Sequence, residues 1–264
     1  MSNPPEKAQE IPHEIYRYFS YENGLDFLES GKLKLESPEK FNDVFEFLPS
    51  IYLPQTTASR LFRIAATVAF RPSLLLFSIN DMIEYKKRMI HCQEFTRKIL
   101  DMFRVCCFSE INDDLLMWGH YARNHTGIVI SFNTAIDYWK HDMCKVQYSS
   151  NRINLPKNFE TRDDLPLVSE KWQRDLLISK SDCWSYEREW RYIEKTSSCD
   201  TDEKNNSYIS IDKRSVRKVI FGYKMLGSNK NIIKKIVTDN WPHVKSFEAV
   251  PHFSKFSLVM GEIV

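Results

Sequence analysis

A chain of 264 residues that is 42% hydrophobic and 13% aromatic has ample material for a core, which excludes wholesale disorder. A net charge of +2 argues against a generic nucleic-acid coat, and the 7 glycines form no GxGxxG or GxxxxGK phosphate loop. The N-terminal MSNPPEKAQE lacks the basic-then-apolar order of a signal peptide. The most apolar stretch, 61–79, carries Arg63, Arg71 and Pro72, so a soluble, cytoplasmic protein with no membrane partner is expected.

Taken in order, residues 1–12 are polar and Pro-rich, a mobile leader. IYRYFS (15–20) alternates as a strand, 22–29 reads as a short helix closed by Gly31, and KLKLE (32–36) as a strand with Leu33 and Leu35 inward. Ser37-Pro38 then turns into KFNDVFEF, where Phe41 and Phe45 stand at anchor spacing and Asn42 or Asp43 can cap the turn. Residues 50–103 show helical spacing broken at Arg71-Pro72 and read as a helical insertion. Its second helix has Ile83, Met89, Ile90, Phe95, Ile99 and Met102 as buried positions.

The stretch 104–132, RVCCFSEINDDLLMWGHYARNHTGIVISF, reads as strand, capped helix, turn, strand. Cys106 and Cys107 sit side by side in its first strand and point to opposite faces, as buried reduced thiols do. Asn112 or Asp113 supplies the N-cap, and Leu115, Trp118 and Ala122 make one apolar helix face. Further on come a strand over 143–148, a helix over 167–182, and a strand entered through WSYEREWRYIEK (184–195). Strands over 208–211 and 215–221, a helix over 229–241 and strands over 244–250 and 256–260 complete the chain. About ten strands, with helices grouped rather than alternating, define an α+β fold: one domain over 1–264, a mixed and largely antiparallel sheet, and flanking helices.

Several polar constellations can carry chemistry. In a strand Glu187, Glu189 and Arg191 project together, with the two carboxylates about 7 Å apart. Burial would raise one carboxyl while Arg191 lowers the other, a polarised pair suited to a cationic sugar transition state; a solvent-facing charged stripe has the same spacing. Ser109, Asn112, His120, Tyr121, Arg123 and His125 gather at the joints of buried elements. His120 and His125 are five apart rather than four and no zinc spacing is present, so no metal site is assigned. Arg17, between Tyr16 and Tyr18, is either an anion-binding group or a surface charge. The basic residues between Lys213 and Lys235 fit phosphates or a solvated face.

Together, FNDVFE, CFSEINDDLLMWGHYARNHTGIVISF, WSYEREWR and VIFG resemble a bacterial family catalogued as domain of unknown function 2971. Its members carry FNDPFE, CFS…ND…MW.HY…H.G and YE.EWR blocks; Val44 stands where proline is usual. The chain is also similar, more weakly, to the ADP-ribosyltransferase fold. That resemblance implies an NAD-consuming transferase acting as a toxin or antiphage effector, with NAD as substrate. It places Arg17 near the pyrophosphate, Ser37 or Ser109 on the second strand, Glu189 on the nicotinamide-ribose hydroxyl, and Glu187 on the acceptor. Tyr121 or Trp118 would stack on nicotinamide, with Tyr18, Asn112, His120, His125 and Arg191 completing the cofactor set. The acceptor, protein or nucleic acid, and an antitoxin or other defence-system partner stay open. The rivals are a non-catalytic module binding a nucleotide or partner, and a nuclease holding a divalent metal with Asp43, Glu46, Glu187, Glu189 and His120.

Overall fold

The computed structural model describes residues 10–51, 79–136, 143–156 and 168–263. Most of the expected leader and residues 52–78 of the expected helical insertion lie outside them. The chain enters through β1 (Glu14–Phe19), α1 (Tyr21–Ser30) and β2 (Lys32–Leu35). Ser20 caps α1 by accepting from the Asn23 N–H at 3.2 Å. Gly31 ends it in the left-handed region at φ 68°, its N–H on the Phe27 carbonyl. After the unassigned stretch come α2 (Ile79–Leu100), β3 (Phe103–Ser109), α3 (Leu115–His120) and β4 (Ile128–Asn133). Then follow β5 (Met143–Lys145), β6 (Gln147–Ser149), α4 (Glu170–Ile178), β7 (Ser179–Ser181) and β8 (Glu189–Lys195). The chain closes with β9 (Asp200–Thr201), β10 (Ser207–Ser210), β11 (Val216–Phe221), α5 (Gly227–Asn240), β12 (Lys245–Pro251) and β13 (Leu258–Glu262).

The result is the expected α+β fold. An eight-stranded sheet runs β13-β12-β11-β4-β1-β3-β8-β5, antiparallel except at β11–β12, where α5 supplies the crossover a parallel pair requires. Small sheets β2-β10-β9 and β6-β7 flank it. β4 lies near the middle with Ile128, Ile130 and Phe132 on one face and Val129 on the other, all wholly buried. The first face packs against Phe27 and Leu28 of α1, Ile233 and Val237 of α5, Trp241 and Leu33 of β2. The second packs against Met117, Trp118 and Ala122 around α3.

Several local expectations change. The N-cap of α3 is Asp114, one residue later than expected, accepting from the N–H groups of Leu116 and Met117. The buried face of α3 is therefore Met117 and Trp118, while Leu115 is exposed. In α2, Phe95 and Ile99 are buried as expected and Met89 is half-buried, but Ile90 is exposed and Cys92 takes an inward position; Met102 lies beyond the helix and is exposed. Ile83 lies outside the described side chains. The helix expected over 167–182 stops at Ile178, where Ser179 turns extended (φ −82°, ψ 133°) and begins β7 beside β6. The strand expected from 184 starts only at Glu189. A 3-10 turn spans Asp182–Glu187, and Arg188 takes the left-handed region at φ 45°.

Beside the cleft, Phe41 packs edge-on against Phe47, whereas the expected second anchor, Phe45, is exposed. Asp43 caps this turn by accepting from the Phe45 N–H at 2.9 Å. All six cysteines are free.

Candidate active site

The cleft originates in how three strands separate. β1 and β3 share only the pair Tyr16↔Ser109. Four residues earlier on β3, Val105 instead bridges Glu36, just beyond β2. The strands therefore splay apart, and Arg17 spans the split: its guanidinium donates to the Lys34 carbonyl at 2.9 Å and to the Cys106 sulfur. The resulting cleft is about 420 Å³, within the range of small-molecule sites. Tyr16, Arg17 and Tyr18 line it from β1, and Cys107, Phe108 and Ser109 from β3. His120, Tyr121, Lys180, Glu187 and Glu189 line it as well.

Beneath lies a group of five buried charges. Along β8, Glu189 and Arg191 face one side while Trp190 and Tyr192 enter the core on the other, the alternation a strand imposes. Glu187 reaches the same side through the kink at Arg188 rather than through the pleat, and Ser109 Oγ fixes it by donating to the Glu187 carbonyl at 2.6 Å. Lys180, from β7, donates to Glu187 Oε2 at 2.5 Å and to Glu189 Oε2 at 2.8 Å. Arg191 holds both Glu189 oxygens, Nε to Oε1 at 2.7 Å and Nη2 to Oε2 at 3.1 Å. Its remaining donors reach the Leu177 carbonyl and Glu46 Oε1, and its plane lies against Phe41 and Phe47. Every one of these five side chains is at most 4% exposed.

The charges do not balance: three carboxylates face two cations. Burial pushes Glu189 up, but Arg191 and Lys180 outweigh it and hold the group down at about 2. Burial dominates at Glu46 and Glu187, which both sit above the usual carboxylate range despite their cationic neighbours. Glu46 Oε2 has no hydrogen-bond partner. Burial alone would depress Lys180, yet the three carboxylates raise it, so it stays an ammonium. Glu46 and Glu187 are therefore the members of the cluster that take up a proton most readily as the pH falls. Of those two, Glu187 lines the cleft and takes a 2.6 Å hydrogen bond from the Tyr121 hydroxyl.

Of the residues singled out in the sequence, Arg17, Tyr18, Ser109, His120, Tyr121 and both glutamates share this one cleft. Others do not line it. Ser37 sits ahead of the 3-10 turn Pro38–Lys40. Asn112 contributes its carbonyl to the Trp118 indole N–H at 2.7 Å. Trp118 is wholly buried, edge-on to Tyr18 and stacked on His125, so it is not free to stack on a ligand. His125 is part of a left-handed turn with Arg123 and Asn124, closed where Gly127 meets the Phe19 carbonyl. A Cβ at Gly127 would lie 2.0 Å from that oxygen. Arg191 is fully buried and serves the cluster rather than the cleft.

Spacing does not reveal two participants: Lys180 falls inside the helix expected to run four residues further, and the adjacent thiols give Cys107 only a core role. The nuclease carboxylates Glu46, Glu187 and Glu189 do converge, but around the Lys180 ammonium. Among the described residues no group of three His, Cys, Asp or Glu is arranged to hold a metal ion. In the basic stretch, Lys218 pairs with Glu14, Lys230 with Glu248 and Arg214 with Asp212, so three of its cations are engaged locally.

Fold and site thus define an α+β protein with an over-charged carboxylate cluster at the base of a split-sheet cleft. Residues 117–192 match the family model described as Protein of unknown function (DUF2971). That span runs from α3 through β8 and bears out the resemblance drawn from the MWGHYARNHTG and YEREWR blocks. The search of curated proteins and the search of solved structures gave no match, and the ADP-ribosyltransferase resemblance rests on residues alone. No helix among the described residues is long and apolar enough to cross a membrane.

Proposed function

We propose that the cleft takes NAD and that the protein is an ADP-ribosyltransferase-like enzyme that cleaves its nicotinamide–ribose bond. The observation that carries the reading is the convergence of Arg17, Tyr121 and the Glu187–Glu189 pair on one cleft from three separate stretches of chain. Among the described residues Arg17 has no carboxylate within ion-pair distance, which leaves its charge for a pyrophosphate; Tyr16 and Tyr18 offer aromatic walls. Glu187 is the carboxylate that meets the reacting centre. As the C1′–N bond breaks, its electron pair leaves with neutral nicotinamide, and ionised Glu187 stabilises the cationic ribosyl group. The acceptor's oxygen or nitrogen then bonds to C1′, and its proton passes to Glu187. Glu189, with both oxygens held by Arg191 and Lys180, is a positioning residue in this scheme. A role as toxin or antiphage effector, with an antitoxin partner, is proposed from the resemblance only.

One observation favours a second reading, a non-catalytic nucleotide-binding module: the carboxylates are already engaged by internal cations. Nicotinamide release from NAD, with cell extract as acceptor and a chelator present, separates the two. The transferase releases nicotinamide despite the chelator, and Glu187→Gln slows it by about 100-fold or more with an unchanged unfolding midpoint. Absence of release by folded protein favours the binding module.

A further inference from the structure

β6 and β7 form a two-stranded parallel ribbon in which Gln147, Tyr148 and Ser149 register with Ser179, Lys180 and Ser181. Alternation along the strands gives the ribbon two different faces. Tyr148 and Lys180 share one, and both reach the carboxylate cluster: the Tyr148 oxygen accepts from the Glu189 N–H at 2.8 Å, and Lys180 binds both glutamates. Ser149, Ser179 and Ser181 share the other, and they line a separate cavity of about 280 Å³.

That cavity lies at the carboxyl ends of the paired strands, where the chain continues into Ser150, Asn151 and Arg152. Its polar lining is hydroxyls, an amide and the Arg152 guanidinium, with no acidic side chain among the lining residues; Lys180 borders it too, but its ammonium is turned to Glu187 and Glu189. The Arg152 guanidinium has no carboxylate partner among the described residues; its neighbour is the Phe45 ring at 5.7 Å. The rest of the wall is apolar, with Phe47, Leu48, Ile153 and Leu176. Clustered hydroxyl donors and an unpaired guanidinium recognise oxyanions, and the apolar wall suits an organic body attached to one.

We infer that this cavity is a second binding site, for the phosphoryl group of a small phosphorylated molecule. It is separated from the NAD cleft by the β6–β7 ribbon, and Lys180 lines both cavities. The inference does not depend on NAD cleavage.

The test is calorimetric titration of the full chain with inorganic pyrophosphate at low ionic strength, using wild type, Arg152→Ala and Arg17→Gln, the last removing the cation that the proposed function reserves for a pyrophosphate in the other cleft. Wild type is expected to bind pyrophosphate with a component that does not depend on Arg17. Arg152→Ala, at an exposed position, should fold normally and weaken that component about tenfold or more, while Arg17→Gln should leave it intact. No binding by wild type at millimolar pyrophosphate overturns the inference. Binding that Arg152→Ala leaves unchanged also overturns it, since the anion would then sit elsewhere.

Discussion

Replacing Lys180 with methionine tests the charge count under the cleft. The substitution keeps the length and apolar stem of the side chain but removes one of two cations facing Glu46, Glu187 and Glu189, leaving three carboxylates against Arg191 alone. Breaking a buried ion pair by removing one partner costs about 3–5 kcal/mol, because the remaining charge stays desolvated. For a chain of this size that corresponds to a melting-point loss of roughly 10 °C at neutral pH. Part of the loss should return as the pH is lowered, because protonating Glu46 and Glu187 removes the excess negative charge. Glu187→Gln in the Lys180→Met background should likewise recover about 1–3 kcal/mol. Thermal and urea unfolding between mildly acid and mildly alkaline pH read all three quantities. A Lys180→Met protein within about 1 kcal/mol of wild type, at every pH, would refute the ion-cluster reasoning.

Other outcomes follow from the same geometry. Glu189 sits at about 2 when folded against an ordinary 4.5. Its contribution of about 3 kcal/mol is therefore present above pH 4.5 and lost as pH falls toward 2, which an acid unfolding titration of Glu189→Gln should show as a missing transition. Glu46 and Glu187 are raised, so the folded state binds the extra proton and stability declines as pH rises through their folded values; Glu46→Gln should flatten that limb. Trp118→Ala removes a wholly buried ring that supports Tyr18 and His125 and should cost about 3–5 kcal/mol in urea unfolding. Under native conditions a thiol reagent should modify exposed Cys183 well before Cys107, whose thiol is raised by burial and by Glu189.

The sequence was most informative where one physical rule acted alone. The alternation in EREWR correctly places Glu189 and Arg191 on one face and Trp190 on the other. Gly31 marks the end of α1 because only the left-handed region closes that turn, and the alternating strands at the end of the chain fall within about two residues of their expected bounds. The solvent-facing version of the charged stripe was equally compatible with spacing; burial against Lys180, which spacing does not encode, decides against it.

Misassignments arose where direction, not identity, mattered. Trp118 has the composition of a ring that stacks on a ligand, but it is buried and the left-handed turn over 123–125 folds the His125 imidazole onto it. Lys180 was hidden because the sequence around Ile178 carries no Gly or Pro stop. The helix ends there through pairing of Ser179 with β6, a tertiary effect outside any local window. The cleft itself comes from two strands parting after one shared pair, which only the assembled sheet reveals.

The most direct measurement is a crystal structure of Glu187→Gln protein soaked with NAD. The account predicts nucleotide density in the split between β1 and β3, with the pyrophosphate beside Arg17 and the nicotinamide ribose C1′ within about 3.5 Å of the side chain at position 187. An empty cleft at saturating NAD, or NAD bound away from Tyr121 and position 187, would contradict it.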